Sequence, residues 1–393
     1  MDLLLTLLLR NLGRNPRRSA LTVAAVAMPV VILVLSFTIV AQLNRFLDDS
    51  AAQLRLAVAH KTSIINPLPY GHKARIAALD PQKRDIIAVV GIAWIGGVLA
   101  NDREPLTTMG VDADEFPIAF TDHLLTQQER EAWQRDRRAL IVGRSTAAKM
   151  GWKVGDRVTI RASIPPYSEF SFNVISTAPK AIDPVANWCH LSYVFEERAR
   201  SGLPESSVDL VSFLFVKCSG RAALERYRVE IDRLFENTPD ETQTQDEKAF
   251  LNQFISQQFD LPTNLTLLAL ITIAVAVLAA ANTMNMSFRD RIGEAATLRA
   301  LGFSARFGAW LSLTESVLLC GIGGCVGVLA PVIAFGYTPI GDVQIPLIVR
   351  LEIGPGVCVV ALTLALAIGT IAGAWPAIQG GRLRVIDALR SLE

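Results

Sequence analysis

Four stretches of this chain are long and apolar enough to cross a hydrocarbon core, which takes about 20 residues of helix. Ser19 to Ala41, Leu261 to Phe288 and Ile353 to Gly381 carry no charged residue, and Phe307 to Gly341 is interrupted only by Glu315. By length and lack of charge they read as spans at 19–41, 264–288, 309–333 and 355–377. Between the first two lies the long segment 42–262, of ordinary mixed composition. The overall balance, 51% hydrophobic and 19% charged, fits a membrane protein with a large aqueous part.

The first span is read as retained rather than as a cleaved signal peptide. Ile39-Val40-Ala41 could serve as a cleavage site, but the apolar run is too long and the segment 1–18 precedes it. Within that segment, "MDLLLTLLLRNLG" is too short to span. Asp2, Thr6 and Arg10 form one narrow polar stripe on it, which suits a helix lying in the inner-leaflet interface, and Asn15-Pro16 marks a break before the span.

Arginine sets the orientation. Arg10, Arg14, Arg17 and Arg18 precede span one; Arg289, Arg291, Arg299 and Arg306 lie between spans two and three; Arg382, Arg384 and Arg390 are in the tail. Loop 334–354 holds only Arg350. Short positive loops stay in the cytoplasm, so both termini, loop 289–306 and tail 378–393 are expected inside, with 42–262 and 334–354 outside. The net charge of +1 gives no field that would attract nucleic acid, and no such partner is expected.

The outer region reads as α+β. Residues 43–60 are expected to extend span one as a helix, "DIIAVVG" (85–91) to form a strand, and 123–138 to form a charged helix. In "STAAKMGWKVGDRVTI" a short helix should stop at Gly151, turn at Gly155-Asp156 and alternate into a strand through Val158 and Ile160. "EFSFNVIS" (169–176) is its partner strand, with Pro165-Pro166 in the loop between. "DLVSFLFVKC" (209–218) is a strand and 221–235 a helix, with Ala222, Leu224, Tyr227, Ile231, Leu234 and Phe235 facing a sheet. Residues 244–260 read as a helix running into span two. Cys189 and Cys218 lie outside the membrane, where a disulfide is chemically allowed, though two buried free thiols fit equally.

Chemistry-bearing motifs are sparse. There is no G-x-x-x-x-G-K-[ST] loop to cradle a nucleotide, no H-E-x-x-H, and no Cys/His spacing for a metal; the four histidines are scattered. The chain is not expected to be an enzyme or to hold a cofactor or metal. Glu315 is an acidic group inside a span, costing about 2.5–3.5 kcal/mol at a helix centre, which a local partner or a nearby interface would reduce. Gly323 and Gly327, with Gly324, present a G-x-x-x-G face for close helix packing, within one chain or between two copies. The loop "RIGEAATLRALGFS", from Arg291 to Ser304, has no clean apolar stripe. Small residues with isolated charges on several sides suit a helix held in a protein cleft, and Gly302 is a natural stop.

Taken together these segments resemble the FtsX-like, MacB-type (type VII) family of ABC transporter permeases, the group containing MacB and the LolC/LolE membrane subunits. "GEAATLRALGFS" is similar to the family's E-I-G-x-L-R-A-L-G segment through Glu294, Leu298, Arg299, Ala300, Leu301 and Gly302, with Ala295 and Ala296 departing. "ESVLLCGIGGCVGVLA" resembles its E-x-L-L-L-G-x-x-G-G-x-x-G run through Glu315, Gly321, Gly323, Gly324 and Gly327. "WPAIQGGRLRVIDALR" resembles its tail through Pro376, Ala377, Ala388, Leu389 and Arg390, with Gly380, Gly381 and Val385 departing.

The resemblance implies a four-helix membrane protein with a large α+β extracytoplasmic domain between helices one and two. That domain would have a base near 43–100 and 205–262, an inserted lobe near 101–204, and helical stalk ends. It implies a coupling helix on loop 289–306, carried by Arg291, Ile292, Glu294, Leu298, Arg299, Ala300, Leu301 and Gly302, that docks on a separate ATPase. ATP and Mg would be bound by that subunit, in two copies, beside a second permease copy, identical or a paralogue. A periplasmic adaptor and membrane lipid are further expected partners, in a bacterial cytoplasmic membrane. The substrate could be a lipid, lipoprotein, peptide or hydrophobic compound. The alternative is an FtsX-like regulator that activates an outer partner without transport.

Overall fold

The computed structural model describes residues 16–99, 105–121, 125–177, 185–258, 261–290, 292–293, 297, 301–338 and 351–382. In chain order the elements are α1 (Pro16–Ala52), β1 (Arg55–His60), β2 (Leu68–Pro69), α2 (His72–Ala77), β3 (Ile86–Trp94), β4 (Thr107–Val111), α3 (Phe116–Ala119) and α4 (Gln127–Arg135). Then come β5 (Ala139–Val142), α5 (Arg144–Met150), β6 (Arg157–Arg161), β7 (Glu169–Thr177), β8 (Ala186–His190), α6 (Leu191–Arg200), α7 (Glu205–Val208), β9 (Leu210–Val211) and β10 (Phe213–Cys218). The chain continues with α8 (Arg221–Leu234), β11 (Thr242–Asp246), α9 (Glu247–Gln258), α10 (Leu261–Asp290), α11 (Ala305–Tyr337) and α12 (Pro355–Arg382). Two compact units result: a membrane unit of Met1–Gln42, Asp260–Asp342 and Leu351–Glu393, and a sheet unit of Leu43–Phe259 with Val343–Arg350.

Among the described residues the sheet unit is built on one nine-stranded sheet, ordered β11-β1-β10-β3-β4-β8-β5-β7-β6, beside a small β2–β9 pair. Pairing is antiparallel except at β4–β8 and β5–β7. Strand β1 lies inside the sheet, and its side chains alternate between two cores. Leu56 and Val58 join Val89, Leu214 and Val216 under α8, which contributes Leu224, Tyr227 and Ile231. Ala57 and Ala59 face an aromatic core of Phe116, Phe120, Trp133, Trp188, Phe215 and Phe250. A strand covered on both faces is apolar throughout rather than alternating, as β3 "IIAVVGIAW" is. A third core, with Phe170, Phe172, Tyr193 and Val194, fills the β5–β8 end.

Several local expectations meet corrections here. The helix expected over 43–60 ends at Ala52; Leu54 turns the chain at φ +52° and 55–60 becomes β1, paired with both β10 and β11. Pairing on two edges and burial on two faces outweigh whatever helical preference "RLAVAH" has. Likewise 242–246 is a strand rather than the start of the next helix. Its polar "TQTQD" hides the alternation, but Thr242 and Thr244 point inward and their hydroxyls donate to Asp232 at 3.0 and 2.6 Å.

Helix α4 is shorter than expected, starting on a capping box in which Thr126 and Glu129 satisfy each other's backbone N–H. The apolar face of α8 begins at Ala223; Ala222 is exposed. The run 209–218 is two strands, because Ser212 donates its N–H to Ile92 O and accepts Trp94 N–H on its hydroxyl, at 2.7 and 2.9 Å. Gly151, at φ +69°, ends α5.

Among the described residues four helices are long and apolar enough to span: Ser19–Ala52, whose last turns belong to the sheet unit, Thr263–Arg289, Arg306–Tyr337 and Pro355–Gln379. Small side chains line the interior of the membrane unit, with Ala276, Ala280, Ala361, Ala365 and Ala372 packed around Val26, Val30 and Val34. Large ones face out, among them Leu267, Leu270, Leu278, Ile333, Val359 and Ile371. Water would reject that arrangement, whereas lipid tails welcome it. Trp310 near the start of α11 and Trp375 near the end of α12 are exposed, as aromatic anchors at one membrane face are, and Tyr337 is exposed at the far end of α11.

Acid is expected to destabilise the sheet unit. His190 and His72 are held below the ordinary value of 6.5, chiefly by burial, so the unfolded chain takes up protons that the folded chain resists. Their stabilising contribution is complete above about pH 6.5 and is lost as pH falls below it. His190→Gln should narrow the difference in thermal midpoint between about pH 7.5 and about pH 5.5. An undiminished difference would remove His190 from the account.

Candidate functional site

Loop 289–306 joins α10 to α11. Arg291, Glu294, Leu298, Arg299 and Ala300 lie outside the described residues. Ile292, Gly293 and Thr297 are helical, and the Thr297 hydroxyl donates to Gly293 O at 2.9 Å, one turn back. Leu301 N–H closes on Thr297 O at 3.0 Å, and Gly302 then adopts φ +92°, a conformation that costs a residue with a Cβ and costs glycine little. The next helix starts at once. Ser304 accepts Phe307 N–H on its hydroxyl at 3.3 Å as an N-cap, and Phe303 packs against Phe307 with ring centroids 5.0 Å apart. This tight link leaves Leu301 71% exposed and Phe303 38% exposed, on either side of Gly302 just past the loop's helical turn.

The glycines of α11 face two different neighbours in the same chain. A Cβ on Gly327 would stand 2.7 Å from Ala27 O and from Val30 Cβ, and one on Gly323 would stand 2.9 Å from Val26 Cβ. Both therefore let α1 approach backbone to backbone. Gly324 instead meets Ala365 of α12, at 2.6 Å for an added Cβ. These three glycines make close contacts with neighbouring helices of their own chain.

A second glycine pair, on α12, was not singled out from the sequence. Cβ atoms on Gly369 and Gly373 would lie 2.9 Å from Cys320 Cβ and 2.7 Å from Ser316 Cβ, and the Ser316 hydroxyl donates to Gly369 O at 2.8 Å. The G-x-x-x-G spacing of "GTIAG" was the available signal. Glu315, next to that serine, is buried and has a polar partner.

Little in the sheet unit suggests chemistry. A recess of about 10 Å³ lined by Ile95, Pro166, Ser168, Phe170 and Arg198 has room for a single water. Cys189 and Cys218 are free and buried, on strands separated by β3 and β4; burial raises both thiols, Cys218 to about 12, which leaves them unreactive. Among the described residues no three His, Cys, Asp or Glu side chains gather as a metal site would require.

Comparison with known families bears on both units. The MacB-like periplasmic core domain matches residues 19–234, more than half of the chain, and the FtsX-like permease C-terminal domain matches residues 266–384. The chain belongs to the FtsX/MacB family of ABC transporter permeases. The uncharacterized ABC transporter permease YvrN of Bacillus subtilis is 38% identical over 109 residues, which is 28% of this chain and 25% of that protein. The macrolide export ATP-binding/permease protein MacB of Chromobacterium violaceum is 32% identical over 127 residues, 32% of this chain and 19% of that protein. The matched part thus spans a quarter or less of these curated relatives. Among solved structures, the extracellular domain of the noncanonic ABC-type transporter YknZ from Gram-positive bacteria is 12% identical with a TM-score of 0.35, covering 49% of this chain and 99% of that one. Four apolar helices and a periplasmic-type domain fit a permease of the inner membrane.

The glycine contacts of this permease predict a graded response. Gly327→Val should lower the thermal midpoint in detergent by an amount equivalent to about 1–3 kcal/mol, since backbone cannot yield to the new side chain. Gly308→Ala, on the same helix with nothing within 4 Å of its Cβ, should be neutral or gain about 0.5–1 kcal/mol. Equal effects would mean that the approach of α1 does not depend on Gly327.

Proposed function

We propose that this permease couples ATP binding and hydrolysis by a separate ATPase to conformational change in its extracytoplasmic domain, by mechanotransmission. The work done is export or extraction of a lipid, lipoprotein, peptide or hydrophobic compound. Family membership supports the permease part of this reading. The carrying observation for the coupling part is the loop between α10 and α11, where a helical turn stops at Gly302 and leaves Leu301 and Phe303 exposed beside the cap of α11. Apolar side chains at a helix end that is fixed at its base are suited to a partner's cleft.

In this reading the coupling helix runs through Arg291, Ile292, Glu294, Leu298, Arg299, Ala300, Leu301 and Gly302 and docks on the ATPase, which binds ATP and Mg. MacB of Chromobacterium violaceum carries "ATP-binding" in its name, and the same division of labour is proposed here between two chains. Two ATPase copies and two permease copies form the working unit, with both termini in the cytoplasm and residues 42–262 outside. Within the outer domain a base near 43–100 and 205–262 carries a lobe near 101–204 that handles the substrate, with a periplasmic adaptor as a further partner. Glu315, buried on α11 with a partner of its own, orients its helix rather than gates.

The test exchanges charge on the loop. Glu294→Arg together with Arg299→Glu should leave insertion intact, because Arg289, Arg291 and Arg306 still hold the loop inside. Purified in mild detergent from native membranes, wild type should bring down an ATPase and hydrolyse ATP, and the variant should do neither. An ATPase retained equally by both would place docking elsewhere.

A further inference from the structure

We infer that Arg55 is a positioning residue, which with Glu247 fixes the angle between the paired stalk segments and the aromatic core beneath the proposed lobe. The inference rests on the coupling reading above for its purpose, and on geometry within the sheet unit for its substance. The last turns of α1 meet the helix α9: Asp48 pairs with Lys248 at 2.6 Å, and Leu43, Phe46 and Leu47 share an apolar cluster with Leu251 and Ile255. The ion pair and the shared apolar cluster tie the two segments together as a clasp.

The clasp closes on a buried ion pair. Arg55 follows the turn at Leu54, and Glu247 opens α9, one position past the Leu56↔Asp246 pair of the β1–β11 ladder. The Arg55 Nε and Nη2 groups donate to the two Glu247 carboxylate oxygens at 2.6 and 2.9 Å, and both side chains are almost fully buried, at 2% and 6% exposure. A two-pronged contact of this kind sets direction as well as distance. Glu247 also sits in the first turn of α9, where a negative charge complements the helix dipole.

The same guanidinium reaches a third segment. Its Nη1 donates to Ala119 O at 3.3 Å, and its centre lies 4.3 Å from the Phe120 ring centroid. Phe120 packs edge-on against Phe215 and Phe116 against Trp133 and Trp188, the aromatic core that β8 and α4 share with the central sheet. One side chain therefore joins the end of the first stalk segment, the start of the second and the residues between β4 and α4. Apolar residues would fill the space without fixing orientation, and a planar group bound on three sides fixes it.

Removing one charge alone would leave the other buried and unpaired, so the informative variant removes both. Arg55→Met with Glu247→Leu should keep the full chain folded, with Arg55→Lys as the milder companion that retains charge but loses the fork. Spin labels on cysteines at Asp49 and Gln128, both exposed, report the separation of stalk end and α4, in a background with Cys325→Ala and Cys358→Ala. Wild type should give a narrow distance distribution, the double variant one about twofold broader, and Arg55→Lys one between them. Unchanged width in the double variant overturns the inference, and if that variant fails to fold, unchanged width in Arg55→Lys does so. MgATP added to the permease with its co-purified ATPase then separates the two claims. Broadening in the variants with no ATP response in wild type supports the joint and counts against mechanotransmission; an ATP response with unchanged widths does the reverse.

Discussion

The sheet unit depends on β1 lying between β10 and β11. A domain inserted between two membrane helices must return the chain near where it took it, and pairing the first strand with the last is a direct way to do so. With β1 fixed between β10 and β11, Leu56 and Val58 fall under α8 while Ala57 and Ala59 fall on the aromatic core; a one-residue slip would exchange the two sets. The insertion from β4 to β8 then extends the same sheet instead of forming a separate one, because β4 adds to β3 and β8 adds to β4 in parallel.

The membrane unit solves a different problem. Lipid supplies no hydrophobic drive to bring helices together, so contact rests on how closely backbones approach. Gly323 and Gly327 on α11 admit α1, Gly324 admits α12, Gly369 and Gly373 on α12 admit α11 in return, and the Ser316–Gly369 hydrogen bond satisfies a hydroxyl in a place without water. Glu315 is buried as well, and it too has a partner. The large side chains that a soluble core would bury are left on the outside, in lipid.

Much of this was legible in residue order. Four uncharged runs give the spans, and Gly151, Gly302 and the Val158/Ile160 alternation mark local structure that depends on one or two residues at a time. What escaped is what pairing over long distances decides. Residues 55–60 look like a continuing helix until β10, more than 150 residues later in the chain, claims them. "TQTQD" has no apolar signal because its buried, inward residues are threonines whose hydroxyls Asp232 satisfies. The Arg55–Glu247 pair has no sequence signature at all, since nothing local says that two charges 192 positions apart will meet. In the loop 289–306 the stop at Gly302 was readable, while five of its eight candidate residues lie outside the described part.

The most direct measurement places a photoreactive amino acid at Leu301 and irradiates native membranes. Leu301 is exposed at the end of the loop's helical turn, so a crosslinker there samples whatever covers that surface. The account predicts one dominant adduct with an ATPase bearing a phosphate-binding loop, strengthened or weakened by added MgATP. Adducts to lipid alone, or to a second copy of the permease with no ATPase among them, would contradict it.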